Sequence, residues 1–228
     1  MFILSSSPDG ERNVSRLRTA AGKRRRTLLF LVTTALFAAL LCVCAPFSVP
    51  IGPIPITLAT FAVFLCAGLL PPGQATLSVG LYLAIGAVGL PVFSAFRGGI
   101  AHLVGPTGGF LWGYIPAALC ASLLIALGKR KKPFYPIGML AGNLLLYLFG
   151  GVWYSVSAGV TFLQAMSVCA LPFLPGDALK IALASALCIL LRTPLDRVLG
   201  RHASPGGLSE EEPESGEAKE SPDKKDGN

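Results

Sequence analysis

Charged side chains are nearly absent from the 165 residues that lie between Arg26 and Arg192 of this 228-residue chain. That interval contains one acidic residue, Asp177, and six basic residues, which are Arg97, Lys180 and the run 129–132. A water-soluble domain carries roughly 25% charged residues, whereas this chain carries 14%, concentrated towards its two ends, and 53% hydrophobic residues. The pattern excludes a soluble fold and predicts a helical membrane protein with several spans.

Proline, glycine and charged residues divide the apolar interval into candidate helices. We expect helices at about 27–45, 57–70, 75–88, 109–128, 136–157 and 175–191. A span needs about 20 residues, so the second and third helices are short. They must be tilted less, be extended by flanking residues or lie inside the bundle. The predicted fold class is an all-α membrane protein with six transmembrane helices.

The distribution of lysine and arginine predicts the orientation. With a cytoplasmic N-terminus and six spans, 17 of the 19 basic residues fall on the cytoplasmic side. We therefore expect a multi-pass protein of the plasma membrane with both termini in the cytoplasm. The expected organisation is a basic N-terminal extension (1–26), a membrane domain (27–192) and an acidic, disordered tail (193–228). The basic residues flank apolar segments without interleaved aromatic residues, so nucleic acid is not an expected partner.

The connections on the outer side are long, apolar and rich in proline and glycine. They occupy residues 46–56, 89–109 and about 158–175. Irregular backbone of this kind cannot face lipid with unpaired amides. We expect these loops to pack across the mouth of the bundle and to cover a ligand cavity.

Asp177 and Lys180 are spaced by three residues at the outer start of the sixth helix, which places them on one face. One interpretation is that they neutralise each other. The alternative is that they face the cavity together and hold a ligand that has hydrogen-bond donors and a negative charge. Arg97 adds a positive charge on the same side, which favours a small anion.

The segment GPTGGF (105–110) supports a ligand site at the start of the fourth helix. Thr107, Gly108 and Gly109 would leave backbone N–H groups open to a ligand, although an ordinary turn explains the same pattern. The chain has no Walker A motif, no Ser-His-Asp set and no HExxH motif, so we expect neither nucleotide hydrolysis nor an enzyme. Its six cysteines lie in apolar segments, and we expect no metal and no cofactor.

Four stretches together resemble the BioY family, the biotin-binding S components of energy-coupling factor (ECF) transporters. They are PIGPIPITLATFAVFLCAGLL (50–70), GLPVFSAFRGGIAHLVGPTGGFLWGY (89–114), YLFGGVW (147–153) and LPFLPGDALK (171–180). The resemblance covers about residues 28–192. It implies an S-component fold of six helices that captures biotin near the outer face.

The resemblance also implies roles for individual residues. Asp177 would accept hydrogen bonds from the ureido N–H groups of biotin, and either Lys180 or Arg97 would pair with its carboxylate. Gly108 and Gly109 would allow the backbone to approach the ligand. Asn143 would make either a helix–helix hydrogen bond or a ligand contact, and His102 is expected to be a loop residue. The candidates for an apolar wall are Tyr82, Phe93, Tyr147 and Trp153.

Partners follow from the same resemblance. An S component docks a transmembrane T component that is joined to ATP-binding subunits, and these would be separate chains. Membrane lipid is the other expected partner of this chain. Ala35 and Ala39 form a small-residue pair on the first helix and are candidates for that interface. An alternative function is a secondary transporter that couples a small carboxylate to an ion through Asp177. No inverted repeat supports it.

Overall fold

The computed structural model of the protein describes residues 8–51 and 54–198. Most of the predicted acidic tail, from residue 199 onward, therefore lies outside the described residues. The helices are α1 Pro8–Cys44, α2 Ala59–Leu69, α3 Pro72–Ala87, α4 Ile100–Val104, α5 Gly108–Leu127, α6 Phe134–Ala158, α7 Phe162–Cys169 and α8 Leu174–Val198. Two short antiparallel strands, β1 Ser48–Ile51 and β2 Ile54–Thr57, connect α1 to α2.

The six predicted helices correspond to α1, α2, α3, α5, α6 and α8, and the predicted fold class is confirmed. Most ends agree within a few residues because proline, glycine and the basic run interrupt the helices where the sequence indicates. The main difference is α1, which begins at Pro8 instead of near residue 27. The hairpin, α4 and α7 were not predicted, because segments of four to eight residues have too little hydrophobic periodicity to be recognised.

Within residues 8–51 and 54–198, four helices are long and apolar enough to cross a membrane. These segments are Lys23–Cys44, Gly108–Leu127, Phe134–Ala158 and Leu174–Thr193. The 11-residue helix α2 is too short for this, but 10 of its residues are buried and it packs against α5 and α8. It therefore lies inside the bundle, which was one of the options that the sequence left open.

Helices α5 and α6 form the most extensive helix–helix contact among the described residues. A Cβ added at Gly138 would lie 2.8 Å from the carbonyl oxygen of Ala121, and one at Gly142 would lie 2.7 Å from that of Ala117. Only glycine at these two positions lets the backbones approach so closely, as is common between helices in lipid. This packing fixes the part of α6 that reaches the site.

Arg130 ties the bundle together at the end that is remote from the outer loops. Its guanidinium donates to the carbonyl oxygens of Gly68, Leu69 and Leu70 at 3.1–3.4 Å, which satisfies the last carbonyls of α2. Arg192 of α8 in turn donates to the carbonyl oxygen of Arg130 at 2.7 Å. The turn after α5 therefore holds α2 and α8 in register, and both of these helices carry site residues at their other ends.

Candidate functional site

A cavity of about 320 Å³ lies between helix ends, the β1–β2 hairpin and the 89–109 segment. Its volume is at the lower end of the range of about 300–1,000 Å³ that small-molecule sites occupy. The polar residues in its wall are Ser48, Thr57, Thr60, Ser94, Arg97, His102, Thr107, Asp177 and Lys180. The apolar and aromatic residues in its wall are Pro55, Ala95, Phe110, Leu111, Tyr114, Leu146, Tyr147, Cys169 and Phe173.

Asp177 is the most highly organised polar group in the cavity wall. It lies in the first turn of α8 and is only 3% exposed. Its Oδ2 accepts a hydrogen bond from the Tyr147 hydroxyl at 2.5 Å and one from Asn143 Nδ2 at 3.5 Å. Its Oδ1 accepts from Lys180 Nζ at 3.1 Å. The carboxylate is therefore held in one orientation by groups from α6 and α8.

Lys180 lies between two helices. Besides its ion pair with Asp177, its Nζ donates to Thr60 Oγ1 of α2 at 3.1 Å, and its side chain is 14% exposed. The spacing of three residues produces the predicted pair, and both partners line the cavity. The two interpretations of the pair are thus compatible, because it balances its own charge while it faces a ligand-sized space.

Asn143 contacts the carboxylate and does not line the cavity. It is 3% exposed, and its Oδ1 has no hydrogen-bond partner among the described residues. It therefore makes the interhelical hydrogen bond that was one of its two predicted roles. Its hydrogen bond helps to hold the Asp177 carboxylate in its orientation from the side that is away from the cavity.

Arg97 and His102 belong to the 89–109 segment, which contributes another part of the cavity wall. Arg97 is exposed and has no salt bridge among the described residues. The ring of His102 stacks on Phe93, with centroids 5.8 Å apart and planes 16° apart. Burial, together with the charge of Arg97, lowers the pKa of His102, so its ring is neutral near pH 7.

The GPTGG segment is placed differently from expectation. Thr107 lines the cavity, but Gly108 and Gly109 are not among the lining residues. A Cβ added at Gly109 would lie 2.1 Å from Cβ of Trp153, and one at Gly108 would lie 2.0 Å from the carbonyl oxygen of Leu103. These glycines therefore make room for packing within the protein, and their role in close ligand approach stays a prediction.

One of the four predicted aromatic wall residues, Tyr147, lines the cavity. Tyr82 and Phe93 pack edge-to-face in the core, with centroids 5.6 Å apart. Trp153 donates to the carbonyl oxygen of Gly105 at 2.9 Å and thereby fixes the loop from outside. The aromatic composition of apolar helices does not distinguish wall from core, so these assignments needed the structure.

The residues that the sequence did not single out include Thr60, Phe110, Tyr114 and Phe173. Thr60 had a weak signal, since it is a polar residue in the otherwise apolar α2. The three aromatic residues had none, because phenylalanine and tyrosine are also ordinary packing residues in a bundle.

Ala35 and Ala39 are exposed on α1, whereas Phe37, Ala38 and Leu41 are buried against the bundle. The small-residue pair therefore lies on a face of α1 that the other described residues leave open.

The family model of the BioY proteins matches residues 17–197. The chain belongs to the BioY family. This BioY sequence is 43% identical over 150 residues to the probable biotin transporter BioY of Pyrococcus horikoshii, covering 66% of this chain and 88% of that protein. It is 39% identical over 162 residues to the biotin transporter BioY of Thermotoga maritima, covering 71% and 95% of the two chains.

A solved structure also matches. It is a crystal structure of the S-component for biotin from an ECF-type ABC transporter, with a TM-score of 0.69 and 27% sequence identity. The match covers 73% of this BioY chain and 92% of that chain. This BioY chain thus has the S-component fold.

Proposed function

We propose that this chain is the biotin-binding subunit of an ATP-dependent vitamin transporter. The observation that carries the proposal is that the buried Asp177–Lys180 pair and Arg97 line one cavity of about 320 Å³. The names of the BioY relatives and of the matching S-component support biotin as the ligand. The chain acts by binding and releasing this solute and performs no chemical step on it.

The functional groups of biotin are complementary to the polar and apolar residues that line the cavity. Its ureido ring presents N–H donors, its valerate chain ends in an anion, and its thiophane ring is apolar. A carboxylate has about four lone-pair positions, and Tyr147, Asn143 and Lys180 occupy three of those on Asp177. One position remains for a ureido N–H, and Phe110, Tyr114 and Phe173 offer apolar surface.

Arg97 is the better partner for the biotin carboxylate. The charge of Lys180 is already balanced by Asp177 at 3.1 Å, whereas Arg97 has no salt bridge within the described residues. An anion beside Arg97 gains a new ion pair, while an anion beside Lys180 competes with an existing one. The ureido ring therefore faces α8 and the valerate faces the 89–109 segment.

The transport partners are a transmembrane T component and ATP-binding subunits, supplied as separate chains, since this sequence has no Walker A motif. The exposed Ala35 and Ala39 on α1 allow close approach of a helix in lipid. The distribution of lysine and arginine supports a location in the plasma membrane with both termini in the cytoplasm.

Calorimetric titration of the purified full-length chain in detergent, without nucleotide, tests the proposal. Biotin should bind at one site per chain, and riboflavin and thiamine should give no binding heat. Desthiobiotin keeps the ureido ring and the carboxylate, so it should bind more weakly than biotin but measurably. Absence of biotin binding, or equal binding of riboflavin, would contradict the proposal.

A further inference from the structure

The segment from Phe93 to Arg97, here called the 93–97 loop, closes on itself at the mouth of the cavity. The N–H of Phe93 donates to the carbonyl oxygen of Arg97 at 2.8 Å. The N–H of Ala95 lies 3.1 Å from the carbonyl oxygen of Pro46 and 3.1 Å from Ser48 Oγ. These contacts bind the loop to the chain that enters the β1–β2 hairpin.

Side-chain packing holds both ends of the same loop. The ring of Phe93 is fully buried, and a Cβ at Gly86 would lie 2.1 Å from its Cζ, so α3 has a glycine where the ring enters. Phe96 packs edge-to-face on Phe47, with centroids 5.9 Å apart. The loop is therefore positioned by packing, and its one regular feature is a short 3-10 helix, Ser94–Phe96.

The loop has an unfavourable backbone conformation. Ala95 and Phe96 have φ angles of 56° and 57°, in the left-handed region that non-glycine residues rarely adopt. Such residues persist only where the surrounding structure holds them, and they are concentrated at ligand sites. In this chain the conformation places Ser94, Ala95 and Arg97 in the cavity wall together.

Ser94 has a polar group without a partner. Its Oγ is buried and makes no hydrogen bond with any described residue, and the residue lines the cavity. Because the Oγ is buried, it meets a ligand only when the side chain rotates towards the cavity. A buried hydroxyl without a partner is unfavourable, so a ligand acceptor beside Ser94 favours that rotation.

The wall that carries Ser94 is suited to an anion. Residues 89–109 contain no acidic side chain, and they bring Arg97, His102 and Thr107 to the cavity beside Ser94. The one carboxylate of the cavity, Asp177, belongs to α8. A carboxylate beside Arg97 has two oxygens, and the guanidinium of a single exposed arginine leaves lone pairs on them for a second donor.

We infer that Ser94 donates a hydrogen bond to the ligand's carboxylate beside Arg97, and that this residue sets the preference for an anionic over a neutral ligand. The inference rests on the proposed function and adds to it a specificity residue that sequence patterns did not indicate. This role explains the strained backbone of the 93–97 loop, because that conformation brings the Arg97 guanidinium and the Ser94 hydroxyl to the same end of the ligand.

The test compares biotin with biotinamide, in which the carboxylate is replaced by a neutral amide. Affinities are measured by calorimetry for the unaltered chain, for Ser94→Ala and for Ser94→Cys, which replaces the hydroxyl by a weak S–H donor of similar size. Ser167→Ala is the matched control, because that exposed serine is hydrogen-bonded, among the described residues, only to the carbonyl oxygen of Leu163 within α7. Thermal melting without ligand shows that each variant is folded.

Ser94→Ala and Ser94→Cys should each weaken biotin binding by about 10- to 100-fold, the usual effect of losing a hydrogen bond to a charged group. Both substitutions should weaken the binding of biotinamide less than that of biotin. The ratio of the biotinamide Kd to the biotin Kd should therefore fall by about fivefold or more. Ser167→Ala should leave both affinities unchanged, and Ser94→Thr, which keeps the hydroxyl, should retain most of the preference.

Two other results are informative. An equal loss for biotin and biotinamide, or an unchanged biotin affinity in the folded Ser94→Cys variant, would overturn the role of Ser94 and leave the proposed function intact. Failure of the unaltered chain to bind biotin would overturn the proposed function itself, and the inference with it.

Discussion

Replacing Asp177 by asparagine preserves the shape of the side chain and removes its charge. In the structure three of about four acceptor positions on this carboxylate are occupied by the protein, which leaves one for a ureido N–H. A hydrogen bond to a charged group contributes about 1.5–3 kcal/mol. Its loss corresponds to an increase in the biotin Kd of about 10- to 150-fold.

The same substitution also leaves Lys180 without its counter-charge, so binding and stability have to be separated. The double variant Asp177→Asn/Lys180→Met removes both charges and keeps a long side chain beside Thr60. Removing one partner of a buried pair is costly, whereas removing both is much less so. The double variant should therefore recover thermal stability relative to Asp177→Asn, while its biotin affinity stays low.

Calorimetry for biotin affinity and thermal melting without ligand are measured on the same preparations of the three proteins. A biotin Kd within about twofold of the unaltered chain in Asp177→Asn, well below the tenfold that a charged hydrogen bond implies, would refute the assignment of Asp177. Recovery of biotin binding in the double variant would also refute it, because the ion pair and not the acceptor would then be what the ligand requires.

Three further predictions concern the surroundings of the site. Gly109→Ala should lower thermal stability by about 1–3 kcal/mol through overpacking, because its Cβ would lie 2.1 Å from Trp153; an unchanged melting temperature would contradict this. Arg130→Gln should lower the melting temperature by releasing the last carbonyls of α2, whereas the neighbouring Lys131→Gln should not. Because the folded pKa of His102 is held below its usual value, ligand-free stability should fall as the pH drops below about 6.5. Between about pH 7 and pH 5, the melting temperature of His102→Gln should fall less than that of the unaltered chain. An equal fall in the two proteins would exclude His102 as the cause.

The sequence by itself determined the class of protein and the positions of its six main helices. Hydropathy and helix-breaking residues act locally, so a window of about 20 residues contains the information. The pairing of Asp177 with Lys180 was also predictable, because a spacing of three residues on a helix is a local geometric fact. The short hairpin and the helices α4 and α7 were not predictable in this way, since they are stabilised by what they pack against.

The tertiary structure alone decided which residues meet at the site. Tyr147 and Asn143 reach Asp177 from 30 and 34 positions earlier in the chain, and Thr60 reaches Lys180 from 120 positions earlier. No local pattern encodes such contacts, because they depend on how close the helix axes approach. The same limit applies to Gly109, because a glycine in the sequence does not show whether a ligand or the Trp153 side chain occupies the space beside it. Local sequence therefore determined the main helices, and the packing of helices distant in sequence determined which residues line the cavity.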